Sequence, residues 1–178
     1  MKKTPNLLDL YEAIKPKYII FCDMDGVLVD FDKGYQELTG KSTNHKDVQD
    51  KNDFWRLLDK SLKEKGLKEY DYWVNLPWMP DGKTLWNHIK GYNPYVLTAP
   101  SLDPGSKVAK REWVEKELPE AKNIYFRKAA LKPEFSGKNR ILIDDREDTI
   151  EGWKARGGIG IHHTSAANTI QQLKDLGI

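Results

Sequence analysis

The sequence predicts an α/β fold: an open, three-layer, Rossmann-like parallel sheet with a small helical cap inserted after the first strand. Three observations predict it. Short apolar runs, β-branched or aromatic, alternate with helical patterns along most of the chain, which suits a sheet of parallel strands. Several of those runs end abruptly on charged or hydroxyl side chains. The alternation is interrupted once, over residues 31–86, by a mostly helical stretch rich in aromatics.

Asn6 caps a first predicted helix, NLLDLYEAI. KYIIFCD reads as a buried strand, and FDKGYQELTG as a helix that Gly40 ends. A loop and a second helix follow, from about Asp53 to a stop at Gly66. YDYWVNLPWMPDG, broken by Pro77 and Pro80, reads as irregular, and KTLWNHIKG as helical. YNPYVLTAP is a strand ended by Pro100. GSKVAKREWVEKELP is an amphipathic helix with Val108, Trp113 and Val114 as its apolar residues. NIYFRK, RILIDD and IGIHH supply three more strands. DTIEGWKARGG and SAANTIQQLKDLG are helices, the last capped by Ser165. The expected division is a core of residues 1–30 and 87–178 and a cap of residues 31–86.

Composition narrows the function. The 178 residues carry 29 Lys and Arg against 27 Asp and Glu, a net charge of +2 with no basic block, so duplex nucleic acid is not the expected partner. The one cysteine, Cys22, excludes an internal disulfide and fits a reducing compartment. The opening MKKTPNLLDLYEAI has no long apolar stretch, so neither a signal peptide nor a membrane span is expected, and the expected location is cytoplasmic.

In open parallel sheets, ligands bind at the carboxyl ends of strands near a reversal of strand order. The apolar runs end in Asp23 and Asp25, in Thr98, in Arg127 and Lys128, and in Asp144 and Asp145. Alone, DMDG suits a solvated turn and Asp144–Asp145 a helix N-terminal cap. Brought to one edge, four carboxylates would repel unless a cation neutralised them. Mg²⁺ does so while sharing its shell with phosphate oxygens. That arrangement suits phosphoryl transfer, with one aspartate as nucleophile and another handling the proton. His162 and His163 have no partner motif, and no metal is assigned to them.

DMDGVLVDF resembles the first motif of the haloacid-dehalogenase-like (HAD) phosphatases, VLTAP their second and LIDDRED their fourth, in the right order over residues 18–148. Within that superfamily the chain is most similar to the 5'(3')-deoxyribonucleotidases. Their Phe-Trp pair resembles Phe54–Trp55, and their Lys-x-x-Trp-Val-Glu-Lys resembles KREWVEK. The resemblance implies a Mg²⁺-dependent phosphomonoesterase acting on nucleoside monophosphates through an aspartyl-phosphate. It implies Asp23 as nucleophile, Asp25 as acid/base, and Asp23, Asp25, Asp144 and Asp145 around Mg²⁺, with Asp25 using its backbone carbonyl. Thr98 and Ala99 would hold the phosphate with a lysine, Lys132, or Lys128 as the alternative. Lys110 matches a family lysine but is expected to be peripheral. Phe31, Phe54, Trp55 and Trp73 resemble the base pocket, with Arg127 a candidate beside it. Ala99 stands where the family often has serine, and Arg56 where it has an apolar residue. The rival readings are a phosphatase of polynucleotide 3'-ends or small sugar phosphates, and a non-catalytic phosphate-binding protein. The oligomeric state is left open, a homodimer among the options.

Overall fold

The computed structural model describes residues 18–44, 48 and 50–178. The helix expected over NLLDLYEAI lies outside the described residues. Five strands, β1 (Ile19–Cys22), β2 (Tyr95–Thr98), β3 (Asn123–Phe126), β4 (Arg140–Asp144) and β5 (Ile159–His162), form one all-parallel sheet in the order β3-β2-β1-β4-β5. The first strand is therefore central, and the strand order reverses there, between β1 and β4. A central parallel strand is covered on both faces, which is why its sequence is a continuous apolar run rather than an alternating one.

The period of two along each strand sorts the core into two faces. Ile20, Cys22, Val96, Ile141 and Ile143 belong to one apolar cluster, and Phe21, Leu97 and Leu142 to another. The second cluster is closed by Ile150 and Trp153 of α6 (Glu147–Ala155) and by Phe135 of a 3-10 helix, Ala129–Phe135. On the first face lie α4 (Gly82–Ile89), α5 (Pro104–Glu117) and α7 (Ala166–Asp175). The open three-layer architecture is thus as expected.

Between β1 and β2 the chain forms α1 (Phe31–Thr39), α2 (Lys51–Glu64), α3 (Glu69–Val74) and α4. Asp30 caps α1 by accepting from Lys33 N at 2.9 Å, and Gly40 ends it with φ +73. Asp50 caps α2 through the amides of Asn52 and Asp53 at 2.7 and 2.9 Å, so this helix starts slightly before the expected Asp53. Helix α4 runs across residue 86, the expected edge of the insertion. It packs on α7, where Asp81 Oδ2 accepts from Ala166 N at 2.6 Å. Tyr35, Leu58, Leu62 and Trp73 of α1–α3 share one apolar cluster with the sheet.

Two elements differ from the sequence reading. The stretch read as irregular contains α3, six residues of which Tyr70, Tyr72 and Trp73 are poor helix formers. Packing of α3 along α5 stabilises it, and Asp71 accepts from Lys68 N at 2.8 Å at its start. On α5, Val108 is exposed, and the buried stripe is Ser106, Ala109, Lys110, Trp113 and Val114. Val108, expected on the apolar stripe, is thus off it, and Lys110 is on it.

Candidate active site

The same two-residue period fixes which way each polar strand end faces. Asp23 continues β1 on the side of Phe21, and Asp144 continues β4 on the side of Leu142, the face that the 3-10 helix covers. Lys132 of that helix reaches both, at 2.8 Å from Asp23 Oδ1 and 2.7 Å from Asp144 Oδ2. All three are buried. Burial works against the lysine's charge, but Asp23 and Asp144 more than offset it and raise its pKa. The Asp144 carboxyl is pushed up by burial and then by Asp23, with Lys132 opposing.

Thr98 ends β2 on the opposite face, the one covered by α5. There Lys110 Nζ donates to Thr98 Oγ1 at 3.1 Å and to the Ala99 carbonyl at 3.0 Å, and forms a short ion pair with Asp25 Oδ2. Lys110 is completely buried. Its place corrects the expectation that it is peripheral. A signal was present: it sits three residues before Trp113 and four after Ser106, on the apolar stripe of its helix.

Asp25 is held by the turn that follows β1. The amides of Val27, Leu28 and Val29 converge on the Met24 carbonyl at 3.3, 2.9 and 2.9 Å, and Gly26 takes φ +76. No bulkier residue suits position 26, because a Cβ there would collide with the Asp145 carboxylate. Burial raises the Asp25 pKa against the pull of Lys110. Its Oδ1 is buried without a hydrogen-bond partner among the described residues.

Asp23, Asp144 and Asp145 each place a carboxylate oxygen within 4.8 Å of the others. That span is close to what one hard cation can bridge with oxygen ligands at roughly 2.0–2.1 Å. Desolvation, and then Asp23, raise the Asp145 carboxyl to about 6, as expected of carboxylates crowded together. The donor set, all oxygen, fits Mg²⁺. The Asp25 carboxylate is not in this group, being turned onto Lys110. Cys22, adjacent to Asp23, stays an uncharged thiol because burial and then Asp23 raise its pKa.

The site opens into a cleft of about 710 Å³ lined by Asp23, Asp25, Ala99, Lys128, Lys132 and Asp145, with Phe31 and Trp55 on its cap wall. Asp30, Asp32 and Arg146, which the sequence reading did not single out, line it too. Phe54 and Trp73 lie behind that wall: Phe54 stacks on Tyr35 and Phe31, and Trp73 on Phe31, at 4.5, 5.3 and 5.5 Å. Thr98 is buried beneath the floor. Arg127 stands outside the cleft, exposed, 3.8 Å from Glu134 and over the Phe135 ring. Its neighbour Lys128, at the same end of β3, does line the cleft, so of these two successive residues only the second faces the site.

No protein-family model matches the chain, and no curated protein matches it. Solved structures do. A hydrolase from Streptococcus pneumoniae TIGR4 aligns with TM-score 0.55 and 15% identity, covering 89% of this chain and 99% of that one. YfnB from Bacillus subtilis, provisionally assigned as a HAD-hydrolase and solved with magnesium bound, aligns with TM-score 0.54 and 13% identity over 90% and 99%. A protein from Thermotoga maritima, provisionally assigned as a beta-phosphoglucomutase, gives 0.52 and 13% over 89% and 99%. The chain has the fold of the HAD hydrolases. At these identities the likeness extends to the fold alone. Among the described residues no helix is long and apolar enough to cross a membrane.

Proposed function

We propose that the protein is a Mg²⁺-dependent phosphomonoesterase whose substrates are nucleoside monophosphates, of the 5'(3')-deoxyribonucleotidase type. The observation that carries the reading is the separation of two neighbouring aspartates. Asp23 joins Lys132 and the three-carboxylate cluster, while Asp25 turns away from the cluster onto Lys110. Two carboxylates in different environments can hold different protonation states and so take different roles.

Asp23 Oδ1 accepts from Met24 N at 2.7 Å and pairs with Lys132, which leaves Oδ2 to attack phosphorus. The bond from phosphorus to the alcohol oxygen breaks, and that oxygen takes the proton of the Asp25 carboxyl, whose raised pKa suits it as an acid. The Asp25 carboxylate then removes a proton from water as the water oxygen attacks the aspartyl-phosphate. Phosphate leaves and Asp23 is restored. Thr98, buried beneath the cleft floor, accepts from Lys110 through Oγ1 and so helps hold the lysine that pairs with Asp25, while Ala99, Lys128 and Lys132 line the cleft where the phosphate would sit. Asp23, Asp144 and Asp145 would hold Mg²⁺, which when bound neutralises the carboxylate cluster and draws in the anionic phosphate. Phe31 and Trp55 on the cleft wall support an aromatic base as the leaving group's far end, since stacked aromatic pairs attract beyond their area burial.

The test is phosphate release with Mg²⁺ across nucleoside 5'- and 3'-monophosphates, sugar phosphates and a 3'-phosphorylated oligonucleotide. The reading expects nucleoside monophosphates to give the highest kcat/KM. Preference for a sugar phosphate or the oligonucleotide would overturn the substrate class and leave the chemistry. A flat panel would overturn both.

A further inference from the structure

We propose that Trp73 is a positioning residue for the acid/base, acting through Lys110 rather than touching substrate. The inference rests on the reading of Asp25 as acid/base given above. The Lys110 ammonium lies 4.5 Å from the centroid of the Trp73 indole. Its three N–H groups have three acceptors: Asp25 Oδ2, Thr98 Oγ1 and the Ala99 carbonyl. The ring covers the ammonium in a pocket from which solvent is excluded, where an attraction between a cation and an aromatic face is strongest.

The ring is itself held in place. Trp73 Nε1 donates to Glu69 Oε2 at 3.2 Å, and the same oxygen accepts from Ser101 Oγ at 2.8 Å. Ser101 belongs to the loop after β2, two residues from the Ala99 carbonyl that accepts from Lys110. The contacts therefore close a ring: indole to Glu69, Glu69 to Ser101, along the loop to Ala99, Ala99 to Lys110, and Lys110 back over the indole. Donation of the indole N–H to a carboxylate also enriches the electron density that the ammonium faces. An apolar residue at position 73 would fill the volume but supply neither the face nor the link to Glu69.

The ion pair of Oδ2 with Lys110 fixes the plane of the Asp25 carboxyl, and so the direction in which that carboxyl meets a leaving group. Phe31, on the cleft wall, stacks on Trp73 at 5.5 Å. The geometry thus links the aromatic wall to the proton donor by direct contacts.

A mispositioned acid harms substrates whose leaving group needs a proton and spares those that leave as stable anions. The test compares kcat/KM, which stops at formation of the aspartyl-phosphate, for p-nitrophenyl phosphate and for an alkyl phosphate ester, in wild type, Trp73→Leu and the milder Trp73→Phe. Trp73→Leu should lose on the order of 10-fold more on the alkyl ester than on the aryl ester, within the 10²–10⁴ that general acid catalysis supplies. Trp73→Phe, which keeps an aromatic face, should recover most of that difference. Equal losses on both esters in both variants, or none, would overturn the proposal. If Trp73→Leu fails to fold, Trp73→Phe alone decides: a selective loss of a few-fold supports the proposal, and an equal loss or none overturns it. A wild type that hydrolyses neither ester would overturn the phosphatase reading, and this inference with it.

Discussion

Lys132 Nζ lies 2.7 Å from Asp144 Oδ2, and both groups are buried beneath the carboxyl ends of β1 and β4. The same nitrogen is 2.8 Å from Asp23, so one cation serves two carboxylates at the buried end of the cleft. Removing it leaves two buried carboxylates without their counter-ion.

Lys132→Met should therefore lower kcat/KM for a phosphomonoester by about 10²–10³, the usual loss when one charged group is taken from an electrostatic site. Lys132→Arg should not restore it, because a planar guanidinium is not a substitute for a compact ammonium in a buried slot. Steady-state kinetics on the two variants tests this; full activity in Lys132→Met would contradict it.

Gly26→Ala should fail for two reasons that add. Its backbone has φ +76, where a side chain costs roughly 1–2 kcal/mol, and its Cβ would meet the Asp145 carboxylate. Urea denaturation should read the loss of stability, and isothermal titration should read weaker Mg²⁺ binding as Asp145 is displaced.

The crowded carboxylates give a pH dependence with a definite sign. Asp145 titrates near 6 in the folded protein, against an unfolded value of roughly 3.9. Between those values the folded state binds the extra proton, so this group's contribution to metal-free stability is fully present below about 4 and is lost as pH rises through 6. Melting temperatures of metal-free wild type, referenced to Asp145→Asn, should fall over that interval. Mg²⁺ needs the deprotonated ligands, so the rise in Tm it produces should be larger at pH 8 than at pH 5. A rise independent of pH would contradict the assignment of these carboxylates as ligands.

Trp55 lines the cleft, whereas Phe54 and Trp73 lie behind its wall. Trp55→Ala should raise KM for nucleoside monophosphates several-fold, by the roughly 0.5–1.5 kcal/mol of an aromatic pair, and leave a simple alkyl phosphate unchanged. Equal effects on both would argue against a stacked base.

The sheet and the polar edge that forms the candidate site were legible because buried parallel strands are continuous apolar runs, and the residues that stop them stand out. Asp23, Thr98, Asp144 and Asp145 are read in that way, as strand ends that topology gathers at the switch between β1 and β4. Lys110 was hidden because a lysine on a helix is solvated by default. Its water is replaced by Asp25, Thr98 and the Ala99 carbonyl and by Trp73 of α3, contacts that exist only in the tertiary fold. Arg127 misled for the opposite reason. It follows an apolar run like the others, but successive residues of an extended chain face opposite ways, and here Lys128 turns to the cleft while Arg127 turns to Glu134 and Phe135.

The central claim is that Asp23 is the nucleophile of a Mg²⁺-dependent phosphatase. Phosphate release from a nucleoside monophosphate, measured for wild type and Asp23→Asn with Mg²⁺ and after chelation, tests it most directly. The account predicts turnover by wild type with Mg²⁺, none after chelation, and none by folded Asp23→Asn under either condition. Sustained turnover by Asp23→Asn would contradict it.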